Sequence, residues 1–210
     1  MYVPSAFQQH DPTQLHGLIR QQPLASLISH SAAGLQASHL PLWLAAEEGE
    51  FGTLYGHFAR ANPQWRELAG GAEELAIFTG AQGYISPSWY PSKAEHGKAV
   101  PTWDYQSVHA YGQLELFDDA ERLIQLLGRL TEQHESPQPQ PWAMADAPRD
   151  YIDKMLQAIV GFRLPIQRLE GQWKLSQNRS SADRAGVHQA LSASPDADAR
   201  NLAAQIKHLP

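Results

Sequence analysis

Hydrophobic and polar residues alternate in several short stretches of this chain, a pattern that is typical of β-strands with one buried face. In residues 108–117, four apolar residues share one face: Val108, Ala110, Leu114 and Leu116. Other apolar stretches are bounded by turn-forming residues and predict strands at 24–30, 35–44, 53–60 and 75–79. This spacing predicts antiparallel β-structure that meanders through the first half of the chain.

Helical periodicity dominates later. After Asp118, which can cap a helix together with Glu121, apolar residues recur at helical spacing at Leu123, Leu126, Leu127 and Leu130. Other segments predict helices at 62–68, 149–160 and 185–191, a proline-rich connector at 136–148 and an edge strand at 162–167. Strands that precede most of the helices favour an α+β or closed-barrel fold over alternating β-α-β units. We therefore predict an α+β fold, mainly β, with one domain over residues 1–190 and a weakly structured segment over 191–210.

Composition and charge narrow the possible partners. The net charge of -6 over 210 residues lacks the basic excess that phosphate neutralisation requires, which argues against direct binding to DNA. The chain has no cysteine, so disulfides, thiolate nucleophiles and cysteine-ligated zinc are excluded. Neither a signal-peptide pattern nor a long apolar run is present, so we expect a cytoplasmic protein with no membrane span.

The common nucleotide and hydrolase motifs are missing from the sequence. It contains no GxGxxG or GxxxxGK[ST] loop, so any bound phosphate must be held by side chains. It also contains no HExxH, GxSxG or SxxK motif, which argues against the familiar hydrolases. The ten histidines are scattered without the spacing of metal ligands, and we predict no metal site.

Residues 84–105 form the densest group of aromatic and polar side chains. Prolines at 87, 91 and 101 exclude a regular helix, so we expect a rigid loop between two strands. Its rings could provide flat surfaces for a planar ligand, and Lys93 and Lys98 could meet an anion. The alternative is that this loop packs at a subunit interface, where Tyr and Trp are also enriched.

Residues 173–179 bring together Lys174, Ser176, Asn178 and Arg179. Such a cluster of cations and hydrogen-bond donors could bind a phosphate group. The alternative is a solvated turn before a helix, because Ser180 and Asp183 form a capping-box pattern.

Several motifs resemble the PaiB-type family of FMN-binding negative transcriptional regulators, over about residues 1 to 190. They are Met1-Tyr2-Val3-Pro4 with Phe7 and Asp11, His39-Leu40-Pro41, the segment GHFARANPQ at 56–64, YISPSWY at 84–90, Val100-Pro101-Thr102-Trp103, Glu170-Gly171 and KLSQNR at 174–179. The resemblance implies an FMN-binding split β-barrel with peripheral helices, related to the pyridoxamine-phosphate-oxidase-like folds. It also implies a homodimer with FMN sites near the subunit interface, and a role in negative transcriptional regulation.

The resemblance leads us to expect FMN contacts from His39, His57, Arg60, Asn62, Ser86, Trp89, Tyr90, Lys93, Trp103, Lys174 and Arg179. Within this set we expect three residues to hold the phosphate: Arg60, Lys174 and Arg179. We expect four others to line the ring pocket: His57, Ser86, Trp89 and Trp103. The chain has Ser38 and Asp104 where the family pattern has Asn, and an ionised Asp104 beside the phosphate would repel it. Asp104 therefore either faces away from the phosphate or weakens FMN binding.

Two other functions fit the same residues. One is a flavin-dependent oxidoreductase on a small substrate, with His39, His57 or Tyr90 as proton donor beside the flavin. The other is a non-flavin interaction protein that uses its aromatic loop to dimerise.

Overall fold

A computed structural model describes residues 1–32, 34–68 and 71–207. The helices are α1 Pro12–Gln21, α2 Gln64–Glu67, α3 Ser92–His96, α4 Ala120–Glu135, α5 Arg149–Gln157, α6 Ser181–Ser192 and α7 Ala197–Lys207. The strands are β1 Gln8–Gln9, β2 Leu24–Ser31, β3 Gly34–Pro41, β4 Trp43–Ala45, β5 Thr53–Ala59, β6 Glu74–Ile85, β7 Thr102–Gly112, β8 Glu115–Phe117, β9 Ile159–Pro165 and β10 Arg168–Lys174.

Backbone contacts group the chain into two compact units built from segments that are distant in sequence. The first unit contains Met1–Leu15, Thr79–Val108 and the described part of Glu170–Pro210. The second unit contains the described residues of His16–Phe78 together with His109–Leu169.

The first unit combines a sheet with a helical pair. Its strands follow the order β1-β10-β7-β6, and β1 pairs antiparallel with β10 through Gln8↔Gln172 and Gln9↔Gly171. Helices α6 and α7 pack against each other. Their apolar stripes are buried, as expected for amphipathic helices: Val187, Leu191, Leu202, Ala203 and Ile206.

The second unit contains a four-stranded antiparallel sheet in the order β4-β5-β9-β8. It also contains the first part of β6, up to Phe78, which pairs with β2, and β2 in turn pairs with β3. The β5–β9 register pairs Tyr55 with Arg163 and His57 with Gly161. Helix α4 buries Leu123, Leu126 and Leu130 in one cluster with Phe117 and Leu156. The apolar side of α4 is therefore buried against the end of β8 and against α5.

Most predicted elements are confirmed, with shifted bounds. The α+β class with antiparallel sheets and peripheral helices is confirmed, and helices cover about as much of the chain as strands do. The predicted strand at 35–44 is divided into β3 and β4, because Pro41 cannot donate to a strand ladder. The predicted strand at 108–117 is divided into the end of β7 and β8, and β8 pairs with β9. The cap of α4 is Asp119 and not Asp118, since Asp119 Oδ1 accepts from the Arg122 N–H at 2.9 Å.

The prediction of weak structure over 191–210 is wrong for the described residues. Helix α7 occupies Ala197–Lys207 and buries Ala199, Leu202, Ala203 and Ile206. Two of these four buried positions are alanines, which carry a weak hydrophobic signal in sequence. Residues 208–210 of this segment lie outside the described residues.

Candidate functional site

The first unit contains a cleft of about 520 Å³ in which two of the predicted aromatic residues meet. Trp89 and Trp103 contribute its flat surfaces, and Asp196 and Asp198 its carboxylates. We call it the tryptophan cleft, and its remaining lining residues are Gln82, Gly83, Tyr84, Ala190, Leu191, Ser194 and Ala199.

Neighbours of Trp103 restrain its ring although about half of the side chain, 49%, is exposed. Its indole Nε1 donates to Gln82 Oε1 at 3.3 Å. The Tyr84 ring approaches it edge-on, with ring centroids 6.4 Å apart. Such tilted aromatic pairs are favourable beyond their buried area. The orientation of the exposed Trp103 ring is therefore fixed by its neighbours before any ligand binds.

Trp89 is held by a short turn that is fixed on helix α6. Ser86 begins this 3-10 turn, Pro87–Trp89, and its Oγ accepts from the Ser88 N–H at 3.2 Å. A Cβ at position 186 would overlap the Trp89 carbonyl oxygen, so only glycine lets α6 approach this closely. After the turn, Ser92 donates to Asp183 of α6 from its backbone N–H at 3.1 Å and from its hydroxyl at 2.8 Å.

A buried carboxylate, Asp104, organises the region beside the cleft. Ser176 Oγ donates to Asp104 Oδ2 at 2.6 Å, and Ser176 adopts a left-handed backbone with φ 62. Burial raises the pKa of Asp104, while Ser176, Lys174 and Arg179 act in the opposite direction. Asp104 is thus held inward by its own network.

Lys174 belongs to the same network. Its ammonium donates to Thr102 Oγ1 at 2.6 Å and to the Trp103 carbonyl, and it lies 3.5 Å from Asp104 Oδ1. An ammonium group has three donors, and these contacts use all of them. The contacts therefore favour a structural role for Lys174 over the predicted phosphate contact.

Arg179 is placed differently. Its Cζ lies 4.7 Å from the centroid of the Tyr90 ring, a cation–π geometry. Among the described residues, no carboxylate forms an ion pair with Arg179. The Tyr90 hydroxyl is buried without a hydrogen-bond partner in the same part of the chain, and burial raises its pKa. Arg179 and Ser176 nevertheless lie close enough to the Tyr90 hydroxyl to lower its pKa against the larger effect of burial.

In the second unit, Asn62 belongs to a partly buried polar cluster. Asn62 Nδ2 donates to Ser38 Oγ at 2.8 Å, and Ser38 Oγ donates to Gln64 Oε1 at 2.5 Å. Gln64 Nε2 donates to Ser29 Oγ at 2.9 Å and to the Leu27 carbonyl at 3.3 Å. We call these four side chains the amide cluster, namely Ser29, Ser38, Asn62 and Gln64.

Arg60 and His39 also have partners within this unit. Arg60 donates from Nε to the Gln157 carbonyl at 2.8 Å and from Nη2 to the Ile159 carbonyl at 2.9 Å, which ties the end of β5 to the start of β9. The exposed His39 ring lies 3.1 Å from Ser26 Oγ on the neighbouring strand. For Arg60, these contacts favour a structural role over a phosphate contact.

His57 lines a separate cleft of the second unit, of about 250 Å³, with Leu127, His134 and Trp142 among its neighbours. Its Nδ1 is buried without a hydrogen-bond partner among the described residues. Burial lowers the pKa of His57, so its ring is neutral at pH 7. It could donate or accept one hydrogen bond there but would not supply positive charge.

Comparisons with known proteins identify the family. A family model described as "Putative FMN-binding domain" matches residues 1–168. The chain belongs to this family. The "Protease synthase and sporulation protein PAI 2" of Bacillus subtilis (strain 168) is 29% identical over 203 residues, which are 97% of this chain and 95% of that protein. An uncharacterized protein of Aspergillus fumigatus is 32% identical over 232 residues, 89% of each chain.

Solved structures show the fold of this FMN-binding domain. A conserved hypothetical protein from Mycobacterium tuberculosis has a TM-score of 0.57 at 12% identity, over 86% of this chain and 94% of that chain. The FAD and heme binding protein from Mycobacterium smegmatis has a TM-score of 0.54 at 20% identity, over 80% and 73%. The predicted split-barrel class is confirmed by these likenesses, which concern the fold alone.

The predicted site residues divide between the two units. The first unit brings together Trp89 and Trp103 in one cleft and Tyr90 with Arg179 beside it, whereas Lys93 is exposed on α3. His39, His57, Arg60 and Asn62 belong to the second unit. The sequence interpretation missed the α6–α7 wall of the tryptophan cleft and the roles of Gln64 and Ser176. A cap pattern at Ser180 and Asp183 was the one signal that pointed to α6, and Ser180 Oγ does accept from the Asp183 N–H at 3.1 Å.

The described residues contain no group of three or more potential metal ligands, and no helix among them is long and apolar enough to cross a membrane.

Proposed function

We propose that this chain binds FMN in the tryptophan cleft and acts as a flavin-binding protein in negative transcriptional regulation. The observation that carries the proposal is that Trp89 and Trp103 face one cleft of about 520 Å³ in a chain of an FMN-binding family. Ligand pockets of this kind measure about 300 to 1,000 Å³.

The lining residues fit a planar ligand, and because they include no cation, an anionic group of that ligand would have to be held from outside the lining. The two indole rings provide stacking surfaces for an isoalloxazine ring, and the Gln82 amide offers a polar contact at the cleft wall. Arg179, which has no ion pair within the described residues, offers a planar fork for a phosphate. Asp196 and Asp198 would repel a phosphate, so in this proposal the phosphate end points away from the start of α7.

Bound FMN would supply reversible transfer of a hydride or of single electrons, which is the chemistry of the flavin itself. The chain's own contribution would be to hold and shield the ring with Trp89 and Trp103 and to neutralise the phosphate with Arg179. The buried Asp104 is engaged by Ser176 and Lys174, so it does not need to face the phosphate. Arg179 nevertheless acts on Asp104 electrostatically, so an ionised Asp104 would still weaken the binding of a phosphate held by Arg179.

The regulatory part of the proposal is supported by the PaiB-type resemblance and by the name of the Bacillus subtilis relative, which refers to protease synthesis and sporulation. A net charge of -6 argues that regulation does not act through broad contact with DNA phosphates. We propose instead that the flavin-bound protein acts through another protein. Homodimerisation and a cytoplasmic location stay predictions.

The test is a titration of the purified chain with FMN, followed by quenching of flavin and tryptophan fluorescence. We expect saturable binding, and loss of about tenfold or more in affinity for Trp89→Ala and for Trp103→Ala, because each removes a stacking surface. Trp142→Ala is the matched control, since Trp142 is similarly exposed, at 44%, and lies outside the tryptophan cleft. Riboflavin should bind more weakly than FMN because it lacks the phosphate.

Each alternative outcome leads to a different function. Binding that Trp89→Ala and Trp103→Ala leave unchanged would move the flavin out of the tryptophan cleft. Reduction of bound FMN by a nicotinamide cofactor, faster than that of free FMN, would favour an oxidoreductase over a regulator. Failure to bind any flavin would leave an interaction protein, whose dimerisation could then be measured directly.

A further inference from the structure

A second cleft, in the second unit, combines aromatic rings with arginines and matches none of the predicted site residues. It measures about 260 Å³ and lies between α4 and strands β4, β5 and β8. Its lining residues are Trp43, Glu48, Tyr55, Phe117, Arg122, Gln125, Leu126 and Arg129. We call it the arginine cleft.

The aromatic floor of the arginine cleft is fixed by strand pairing and by the packing of α4. Trp43 and Tyr55 are partners across β4 and β5, and their ring centroids lie 5.5 Å apart. Phe117 ends β8 and packs beneath α4 with Leu123 and Leu126. The rings are therefore held by the fold before any ligand arrives.

Two guanidinium groups of α4 lie over these rings. The Cζ of Arg122 lies 4.0 Å from the Phe117 ring centroid, and the Cζ of Arg129 lies 5.8 Å from the Trp43 ring centroid. Stacking on a ring restrains the guanidinium plane while its edge donors stay available for a bidentate contact with a carboxylate.

Three arginines lie in or next to the arginine cleft, and two of them form ion pairs with carboxylates of the protein. Arg163, next to Tyr55 in the sheet, is paired with both oxygens of Glu115 at 2.9 and 3.0 Å. Arg129 has an exposed ion pair with Glu132 at 3.4 Å. Arg122 has no ion pair among the described residues. An anionic ligand could therefore form the ion pair that Arg122 lacks among the described residues.

Glu48 gives the cleft a second polar end. The Tyr55 hydroxyl donates to Glu48 Oε2 at 2.6 Å, and burial together with Glu48 raises the pKa of Tyr55, so the hydroxyl keeps its proton. A carboxylate has more acceptor sites than one donor can fill. Glu48 can therefore accept a further hydrogen bond from a ligand hydroxyl or amine.

From this geometry we infer that the arginine cleft is a binding site for a small aromatic carboxylate that also carries a hydrogen-bond donor. Because Arg122 and Arg129 lie about 10 Å apart along α4, the carboxylate is held by Arg122, which has no ion pair among the described residues, while the ring lies against the aromatic floor and the donor meets Glu48. The volume of about 260 Å³ is below the range of drug-sized pockets, so a single-ring compound fits better than a nucleotide.

The experiment is a calorimetric titration of the full chain with 4-hydroxybenzoate, without FMN. We expect saturable binding that weakens about tenfold or more when 4-hydroxybenzamide replaces the acid, because the amide carries no charge for the guanidinium group. Arg122→Gln should weaken binding of the acid by about tenfold, and Arg122→Lys by less, because a lysine keeps the charge but loses the planar fork.

Arg149→Gln is the matched control, because Arg149 is an exposed arginine of the same unit that pairs with Asp153 and touches no ring of the cleft. It should bind the acid as the unchanged protein does, and each variant's thermal transition reports whether it is folded. Absence of binding, or binding that Arg122→Gln and Arg122→Lys leave unaltered, would overturn the proposal. Neither result bears on FMN binding, which is measured with a different ligand.

Discussion

The amide cluster and the region of the tryptophan cleft each contain residues that the sequence marks as candidates, Asn62 in the first and Trp89, Trp103 and Arg179 in the second, yet they use their polar groups in opposite ways. In the amide cluster, the Gln64 side chain is 1% exposed and its amide has partners at both ends. Beside the tryptophan cleft, Arg179 has no ion pair and the Tyr90 hydroxyl has no hydrogen bond among the described residues.

The difference indicates which residues serve the fold and which remain available to a ligand. A buried polar group that is satisfied contributes to stability, and its removal leaves its partners unsatisfied. A partly exposed charge without an ion pair, such as that of Arg179, contributes little to the stability of the folded state, so its removal should change binding more than stability. Gln64→Leu and Arg179→Ala test this contrast directly, and Gly186→Ala and Glu74→Gln test the packing and the burial around it.

The largest loss of stability is expected for Gln64→Leu. The leucine keeps the volume but leaves Ser29, Ser38 and the Leu27 carbonyl without their partner, at a cost of about 3 kcal/mol. Urea unfolding measures this loss. Gln21→Leu, at the exposed end of α1, is the control and should be close to neutral. A neutral Gln64→Leu would mean that the amide cluster is not a structural unit.

A smaller loss is expected for Gly186→Ala, because its Cβ would overlap the Trp89 carbonyl and push α6 from the turn that carries Trp89. We expect a cost of about 2 kcal/mol after a gain in helix propensity, together with weaker FMN binding. Gly128→Ala is the control inside α4, where the new Cβ would lie 3.7 Å from Met144 Cε, an ordinary contact. It should stabilise the chain by roughly 0.5 to 1 kcal/mol. Equal effects at the two glycines would contradict a tight contact between α6 and the turn.

Glu74 provides a test by pH. Its side chain is 2% exposed, and burial raises its pKa from 4.5 to about 7. Because the folded state favours the protonated form, this contribution to stability is complete below about pH 4.5, falls as the pH rises towards about 7, and is absent above that. Glu74→Gln should remove this decline, for which a shift of this size sets an upper bound of about 3 kcal/mol.

The neighbouring Glu73→Gln is the control for Glu74, since Glu73 is exposed and pairs with Arg168 at 2.9 Å. The difference between the two pH profiles, measured by urea unfolding, isolates the buried carboxyl. Identical profiles for Glu74→Gln and Glu73→Gln would show that Glu74 is not the titrating group.

The fold was predictable from sequence to the extent that its signals are local. The leucine spacing of α4 and the alternation of β9 are visible in the chain, and Asn62 Oδ1 accepts from the N–H of Gln64, the first residue of α2, at 3.0 Å. Strand β10 and helices α1 and α7 were missed, and the expectation that prolines exclude a helix from residues 84–105 is wrong at the short helix α3, Ser92–His96. Strand β10 contains Gly171 and few apolar residues, and α7 buries alanines, so both depend on their neighbours for stability.

The candidate site shows the same limit. The aromatic loop was predicted because rings and prolines are dense in one segment, and it does supply Trp89 and Trp103 to one cleft. The sequence alone does not show which hydrogen-bond donors are already used by contacts within the fold. Lys174 and Arg179 are both cations of one short segment, yet the ammonium of Lys174 is used by Thr102 and Trp103, while the guanidinium of Arg179 stacks on Tyr90.

The smallest effect on stability, and the sharpest on binding, is expected for Arg179→Ala. The substitution removes a cation–π contact with Tyr90, which should cost the apo-protein less than about 1 kcal/mol. FMN affinity should fall about tenfold or more, because the phosphate loses its charged donor, whereas riboflavin affinity should stay unchanged. Lys93→Ala, an exposed lysine on α3, is the matched control for loss of a positive charge. If Arg179→Ala weakened riboflavin and FMN equally, Arg179 would act through Tyr90 and the adjoining Trp89 rather than through the phosphate.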